Sequence, residues 1–264
     1  MTPNSNYQTL TLIQEGAVAT ITLNRPDKRN AISTQMIDEL LAALNAVEVS
    51  TARAAIITGT GSAFCSGMDL EALKGLAQQS PAQNMDDSHR MARMFRRLWS
   101  FPKPLIAAVN GAAIAGGCGI ATLCDFTLAV PEAKFGYTEV RIGFIPAIVS
   151  VFLIRQIGDK RARDLLLTGR ILSAEEARQL GLVTHLVEPN LLMNTAKMLA
   201  AALVESSPTS IERTKRLFTE SAAAEVDKAL ERAIAENASI RATADFREGL
   251  SSFLEKRRPV WPGK

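Results

Sequence analysis

From Leu105 to Leu123 the chain carries no charge, and the run is long enough to cross a bilayer. Its content argues otherwise. Asn110 and four glycines interrupt it, and alanine rather than leucine dominates it. Asn110-Gly111 and Gly116-Gly117 are turn or breaker pairs. The segment therefore reads as a buried strand, a tight glycine loop and a buried helix, and no membrane span is expected.

Burying such a unit needs a large interior, which 264 residues at 47% hydrophobic and 22% charged supply without covalent staples. The formal charge of +3 is scattered rather than blocked, and only 5% of residues are aromatic, which argues against a nucleic-acid groove. A mild basic surplus suits a polyanionic small molecule. Cys65, Cys118 and Cys124 are odd in number and show no Cys-x-x-Cys spacing, and His89 and His185 stand far apart. Neither a disulfide framework nor a metal site is expected. Met1 to Tyr7 is polar with no apolar signal core, so the expected location is cytoplasmic.

Tyr7–Gln14 and Ala17–Leu23 alternate like strands around Glu15-Gly16, which predicts a hairpin. Ser33 is placed to cap a helix over Thr34–Glu48 that turns Ile37, Leu40, Leu41, Leu44 and Val47 to one side. Ala54–Thr58 reads as a strand, Ser62–Asp69 as a loop and Leu70–Leu76 as a helix. Gln78–Asp87 is polar and reads as a mobile surface segment before an amphipathic helix over Asp86–Ser100. Phe126–Val130 and Val183–Val187 read as strands, Pro146–Thr168 as two helices around Gly158-Asp159. Ser173 and Glu176 form a capping-box pattern. Beyond Asn190 everything reads helical, with a break at Pro208. The expectation is an α/β body over 1–190 followed by a helical region over 191–264, and the alternation of strand and helix favours parallel β-structure.

Two glycine loops lie between a strand and a helix, one over Ala63–Leu70 and one over Asn110–Gly119. Each can present backbone N–H groups at a helix start, where orphan donors and the helix dipole favour negative charge. Two such donors converging on one point would make an oxyanion hole. On the glycines alone close packing or a tight turn is the commoner meaning of a Gly-Gly pair, and neither loop matches a dinucleotide or P-loop pattern.

The combination is far more specific than either loop. In order come Asn24-Arg25-Pro26 with Asn30-Ala31, Ala63-Phe64 with Ser66-Gly67 and Asp69-Leu70, then Pro104 with Ile106 to Gly111. Ala115-Gly116-Gly117-Cys118, Cys124-Asp125, Phe135-Gly136, Glu139-Val140 with Ile142-Gly143, and Ile145-Pro146 follow. Thr168-Gly169, Ala174 with Ala177, Gly181-Leu182-Val183, Glu248-Gly249 and Phe253 to Arg257 complete the series. This resembles the enoyl-CoA hydratase/isomerase (crotonase) family over nearly the whole chain. The resemblance implies a spiral of ββα units, a helical C-terminal region used in trimerisation, and a homotrimer or dimer of trimers. It implies an acyl-coenzyme A substrate, with coenzyme A part of the substrate and no separate cofactor. The thioester carbonyl would lie between the N–H groups of Met68 and Gly116. Arg25, Lys28 and Arg29 fall in the loop where the family holds coenzyme A phosphates, although a solvated turn explains each alone. Ser66, Asp69 and Leu70 belong to the same binding segment, and Phe253 and Lys256 match a C-terminal stretch that reaches the coenzyme from a neighbouring subunit.

One departure bears on the reaction. Hydratases of this family use two glutamates, and this chain has Glu139 at one position and Gly119 at the other. Adding water across a double bond engages one group on the water and another on the C2 proton. Moving a double bond from the 3,4 to the 2,3 position needs a single base. Isomerisation by Glu139 alone is therefore favoured. Hydration remains an alternative, because glycine leaves room for an ordered water or a bulky acyl group, and a methylglutaconyl-CoA-type substrate brings a carboxylate of its own. An acyl-CoA-binding protein without catalysis is a second alternative, and other enolate chemistry such as decarboxylation a third. Ala147 rules out the aspartate that dienoyl-CoA isomerases and chlorobenzoyl-CoA dehalogenases place there. Gly119, Ile142, Phe144 and Ile148 are expected to shape the substrate pocket, with the last three raising the pKa of Glu139. The plain alternative for Glu139 is an exposed carboxylate paired with Arg141. Asp69 and Asp125 read as structural, His89 as a surface residue, and Cys65 and Cys118 as packing.

Overall fold

The computed structural model describes residues 7–76 and 78–263, without the side chains of Leu70 and Glu71. Most of Met1–Tyr7, the polar N-terminal stretch, lies outside the described residues. The chain opens with the expected hairpin, β1 (Leu10–Glu15) paired antiparallel to β2 (Val18–Leu23). Helix α1 (Thr34–Val49) starts at Ser33, whose hydroxyl accepts from the Met36 amide at 3.2 Å. It buries Met36, Ile37, Leu40, Leu44 and Val47, while Leu41 is half-buried.

Three units then repeat one plan. The first is β3 (Ala54–Gly59), β4 (Ala63–Cys65), α2 (Leu70–Leu76) and α3 (Pro81–Trp99). The second is β5 (Leu105–Val109), β6 (Ala112–Ile114) and α4 (Gly116–Thr122), and the third is β7 (Phe126–Ala129), β8 (Lys134–Gly136), α5 (Ala147–Ile157) and α6 (Asp159–Thr168). In each, the first strand joins a six-stranded sheet and the second a four-stranded one before the chain turns into helix. Then follow β9 (Ile171–Ser173), α7 (Ala174–Gln179) and β10 (His185–Leu186). The sheet orders are β1-β2-β3-β5-β7-β10 and β4-β6-β8-β9. From β2 onward the larger sheet is parallel. This is a spiral of ββα units. Its central strands are buried on both faces, so β3 and β5 read as continuous apolar runs rather than alternating ones.

Four helices close the chain: α8 (Leu192–Val204), α9 (Pro208–Glu220), α10 (Ala223–Ser239) and α11 (Ala244–Leu254). The main apolar core takes residues from both sides of position 190: Leu192, Ala196 and Ala200 of α8 and Val226, Leu230 and Ile234 of α10 join it. Among the described residues, no helix is long and apolar enough to cross a membrane.

The structure corrects the reading in two places. Helix α3 begins at Pro81 rather than Asp86, so most of the Gln78–Asp87 segment is ordered helix. Ser80 and Gln83 form a capping box, and Pro81 occupies the first turn, where its missing N–H costs nothing. The residue patterns gave no second strand in these units, which only the resemblance implied; those strands form the smaller sheet, and it carries the two glycine loops.

Candidate active site

A cavity of about 320 Å³ opens where the two glycine loops meet the base of α5. Met68 and Gly116 both line it. Neither amide donates to another group among the described residues. Gly116 opens α4, so its N–H has no intrahelical partner. Ala115, just before it, sits at φ 51 and ψ −124, a strained conformation for a residue with a Cβ. The amide that follows is aimed by that strain, which packing of the loops sustains. A Cβ on Gly67 (φ 91) would stand 3.1 Å from the Ala115 methyl, and one on Gly117 would stand 2.3 Å from the Cys65 carbonyl oxygen. Glycine at 67 and 117 is what lets the loops approach this closely.

The loop over Asn24–Ala31 is tied to the first of them. Ile32 N donates to Gly67 O at 2.7 Å, Asp69 N to Ile32 O at 2.9 Å and Ser66 N to Arg29 O at 3.1 Å. Buried Asn30 accepts from Arg25 N and donates to Thr60 O and Ala63 O. Lys28 and Arg29 are exposed at the cavity mouth beside Asp27, with Ser66 and Asp69 behind them. Arg25 does not line the cavity. Its guanidinium is turned inward, 2.7 Å from Asp69 Oδ2 and 2.6 Å from Ala31 O. These contacts tie Arg25 to the loop and to Asp69.

Glu139 is the first residue of a 3-10 turn over Glu139–Ile142 and lines the cavity at 9% exposure. Its Oε2 is buried without a hydrogen-bond partner, and no ion pair joins it to Arg141 among the described residues. Burial pushes its pKa up to about 7, against a small opposing effect of a backbone hydrogen bond. The turn is fixed from behind by α11. A Cβ on Gly143 would lie 2.3 Å from Asp245 O, and one on Gly249 would lie 2.3 Å from Ile142 O. Ile142, Phe144 and Ile148 line the cavity as expected.

Gly119 does not line it. A Cβ there would stand 2.8 Å from both Phe95 Cε1 and Val149 Cγ1, and those two side chains face the cavity instead. The room foreseen for a water or a bulky acyl group at Gly119 is already filled. Phe253 lines the cavity of its own chain, while Lys256, just beyond α11, does not reach it. Leu70 begins α2, and its side chain lies outside the described residues. Among residues not anticipated at the site are Thr138, Leu73, Met91 and Asn237. Asn237 had a signal in the sequence: it is a polar residue continuing the apolar stripe Val226, Leu230, Ala233 and Ile234 of α10. Burial pushes the Cys65 and Cys118 thiols up to about 12, which suits packing and not nucleophilic chemistry. Asp125 accepts from the Leu105 amide at 2.7 Å and pairs with Lys215, a structural role.

Comparison with known proteins bears on what such a site belongs to. The family model for enoyl-CoA hydratase/isomerase matches residues 13–264. A Thermus thermophilus protein, provisionally named an enoyl-CoA hydratase, is 42% identical over 248 residues, covering 94% of this chain and 98% of that protein. The 2,3-dehydroadipyl-CoA hydratase of Escherichia coli is 33% identical, covering 97% and 99%. A crystal structure of an enoyl-CoA hydratase/isomerase from Xanthobacter autotrophicus Py2 superposes with a TM-score of 0.88 at 30% identity, covering 96% and 98%. The matches run the length of the chain and include the ββα spiral that builds the two loops, so the chain belongs to the enoyl-CoA hydratase/isomerase family.

Proposed function

We propose that the protein moves the double bond of a 3-enoyl-CoA to the 2,3 position, with Glu139 as the sole acid and base. The observation that carries this reading is the pairing of a buried carboxylate, whose Oε2 has no hydrogen-bond partner, with an apolar surface where a second one would stand. Phe95 and Val149 occupy that place and neither transfers protons. Of the other acids lining the cavity, Asp69 is held by Arg25 and Asp27 is exposed at the mouth.

The thioester oxygen lies between the Met68 and Gly116 amides in this reading. Glu139 removes a proton from C2, and the electron pair delocalises onto the thioester oxygen and across C3 and C4. Backbone donors fixed before the reaction stabilise that charge without reorganising. The protonated Glu139 then delivers the same proton to C4, leaving the double bond between C2 and C3 and the carboxylate restored. A pKa near 7 suits a group that must accept and release a proton in one turnover. Lys28 and Arg29 meet the coenzyme A phosphates at the mouth, as point charge and fork respectively. Coenzyme A arrives as part of the substrate, and the reading uses no separate cofactor.

Hydration of a 2-enoyl-CoA is the second reading, favoured by the names of the relatives. Here Glu139 would act on an ordered water. Assaying 3-enoyl-CoA and 2-enoyl-CoA side by side separates the two. The expected result is isomerisation exceeding hydration. Efficient hydration without isomerisation would overturn the proposal, and tight binding of both thioesters without turnover would point to a protein that binds acyl-CoA only.

A further inference from the structure

Asn237 reaches the cavity from α10 at 6% exposure, and a buried network determines which way its amide faces. Arg241, itself 2% exposed, places Nη2 at 2.9 Å from Asn237 Oδ1 and Nε at 3.1 Å from the Asn237 carbonyl oxygen. A guanidinium only donates, so the atom it meets is the amide oxygen. The Ser88 hydroxyl lies 2.9 Å from that same oxygen. Arg241 is held in turn by Asp87 Oδ2 at 2.8 Å and Asn84 Oδ1 at 3.2 Å, and its guanidinium carbon lies 5.8 Å from the centre of the Phe144 ring. With Oδ1 taken, Nδ2 is the free end. It has no partner among the described residues, yet it is not sealed away from solvent as Glu139 Oε2 is. The cavity is where it opens.

We infer that Asn237 is a specificity-determining residue, donating a hydrogen bond from Nδ2 to an oxygen carried on the distal part of the acyl chain. The inference rests on the acyl-CoA reading above and deepens it. Its place follows from α3. Phe95 lies beside Gly116, where a Cβ would stand 3.7 Å from its ring, and Ser88 is seven residues earlier on the same helix. At 1.5 Å of rise per residue the Asn237 amide is roughly 10 Å along α3 from the thioester carbonyl. An extended chain covers that distance in about eight bonds at ~1.2 Å each. Near Asn237 the lining is otherwise apolar, with Leu73, Met91 and Phe144. A methyl-ended chain filling this end displaces the water that serves the amide and leaves the donor unpaired, whereas an oxygen-bearing chain satisfies it.

The test is calorimetric binding of saturated thioesters, which needs no turnover. Octanoyl-CoA is compared with the ω-hydroxy, ω-oxo and ω-carboxy thioesters of the same length, and with neighbours one and two carbons shorter. Wild-type protein is expected to bind at least one oxygenated thioester about tenfold tighter than its methyl-ended counterpart, and the three arms tell which oxygen is preferred. Asn237→Asp keeps an acceptor for Arg241 and Ser88 while removing the donor. It should abolish the preference, so that oxygenated and methyl-ended thioesters bind alike. Equal affinities across the wild-type series would overturn the subsite, as would a variant that weakens all thioesters alike. If the variant does not fold, the wild-type series decides by itself. Should no thioester bind, the acyl-CoA reading falls as well. If octanoyl-CoA binds but the oxygenated chains bind no tighter, only the subsite falls.

Discussion

A carboxylate with one oxygen sealed from water, as in Glu139, titrates near neutrality, and this has two consequences that can be measured apart. The first is catalytic. In the role proposed for it Glu139 must be ionised, so kcat/KM on the active thioester should rise with pH through about 7, and Glu139→Gln should remove turnover while leaving coenzyme A binding nearly intact. Unchanged turnover in that variant would mean the base is another group. The second concerns stability. The folded pKa of about 7 lies above the ordinary 4.5, so the folded state holds the proton more tightly than the unfolded chain. That contribution is complete below pH 4.5 and is lost as pH rises through 7. Above pH 7, Glu139→Gln should therefore be more stable than wild type by on the order of 3 kcal/mol, the gap closing toward pH 4.5 in denaturant titrations. At Gly119 the structure changes an intuition drawn from counting carboxylates. Gly119→Glu alone meets Phe95 and Val149, and overpacking should cost about 1–3 kcal/mol with little gain in hydration. Paired with Phe95→Ala, the glutamate has room, and hydration of 2-enoyl-CoA should rise relative to isomerisation. A single variant that hydrates as well as the double one would show that the aromatic ring is no obstacle. Glu139 and Gly119 were both visible in the sequence as a departure from a two-glutamate pattern. What the sequence could not show was Phe95 lying against Gly119, because that contact joins α3 to α4 through tertiary packing.

Among the elements, those with a local signal were legible and those without one were not. Helix α1 has a cap, a stripe and a length that fit one period, and α7 has its capping box; both are where the sequence puts them. The strands β4, β6, β8 and β9 are three residues each, too short to show an alternation, and their pairing partners are far away in the chain. Yet they set the cavity, since β4 and β6 run directly into the two glycine loops. The short 3-10 turn that bears Glu139 depends on contacts rather than on its own sequence. Gly249 in α11 presses against the Ile142 carbonyl, so Gly249→Ala should push the turn away from the cavity. Activity should fall at least tenfold while the far-ultraviolet circular dichroism at 20 °C stays near wild type, with a lowered Tm. Full activity in that variant would show that α11 does not position the base.

For the molecule as a whole, strand-helix alternation gave the α/β class and the parallel β-structure, while the spiral was legible only through the family resemblance that the spaced motifs carry. Assembly is less visible in one chain. Leu217 and Phe218 of α9 are 68% and 71% exposed, Met198 of α8 64% and Val260 78%, more apolar surface than a solitary helical region needs to show. A homotrimer or a dimer of trimers covering these helices is the expected state, and light scattering at micromolar concentration should give three or six times the chain mass. A stable monomer would contradict it. The contact of Gly143 and Gly249 with their opposing backbones also has a bearing on timing. Gly249 leaves the ribosome roughly a hundred residues after Glu139, on the order of 5–20 s later at ordinary elongation rates. During that interval the sheets, both glycine loops and α6, which packs on one side of the turn that carries the carboxylate, have emerged, but the side that α11 covers is still open. If α11 is what holds Glu139 in the place proposed for it, a chain stopped before Ala244 should keep strand structure and show no turnover.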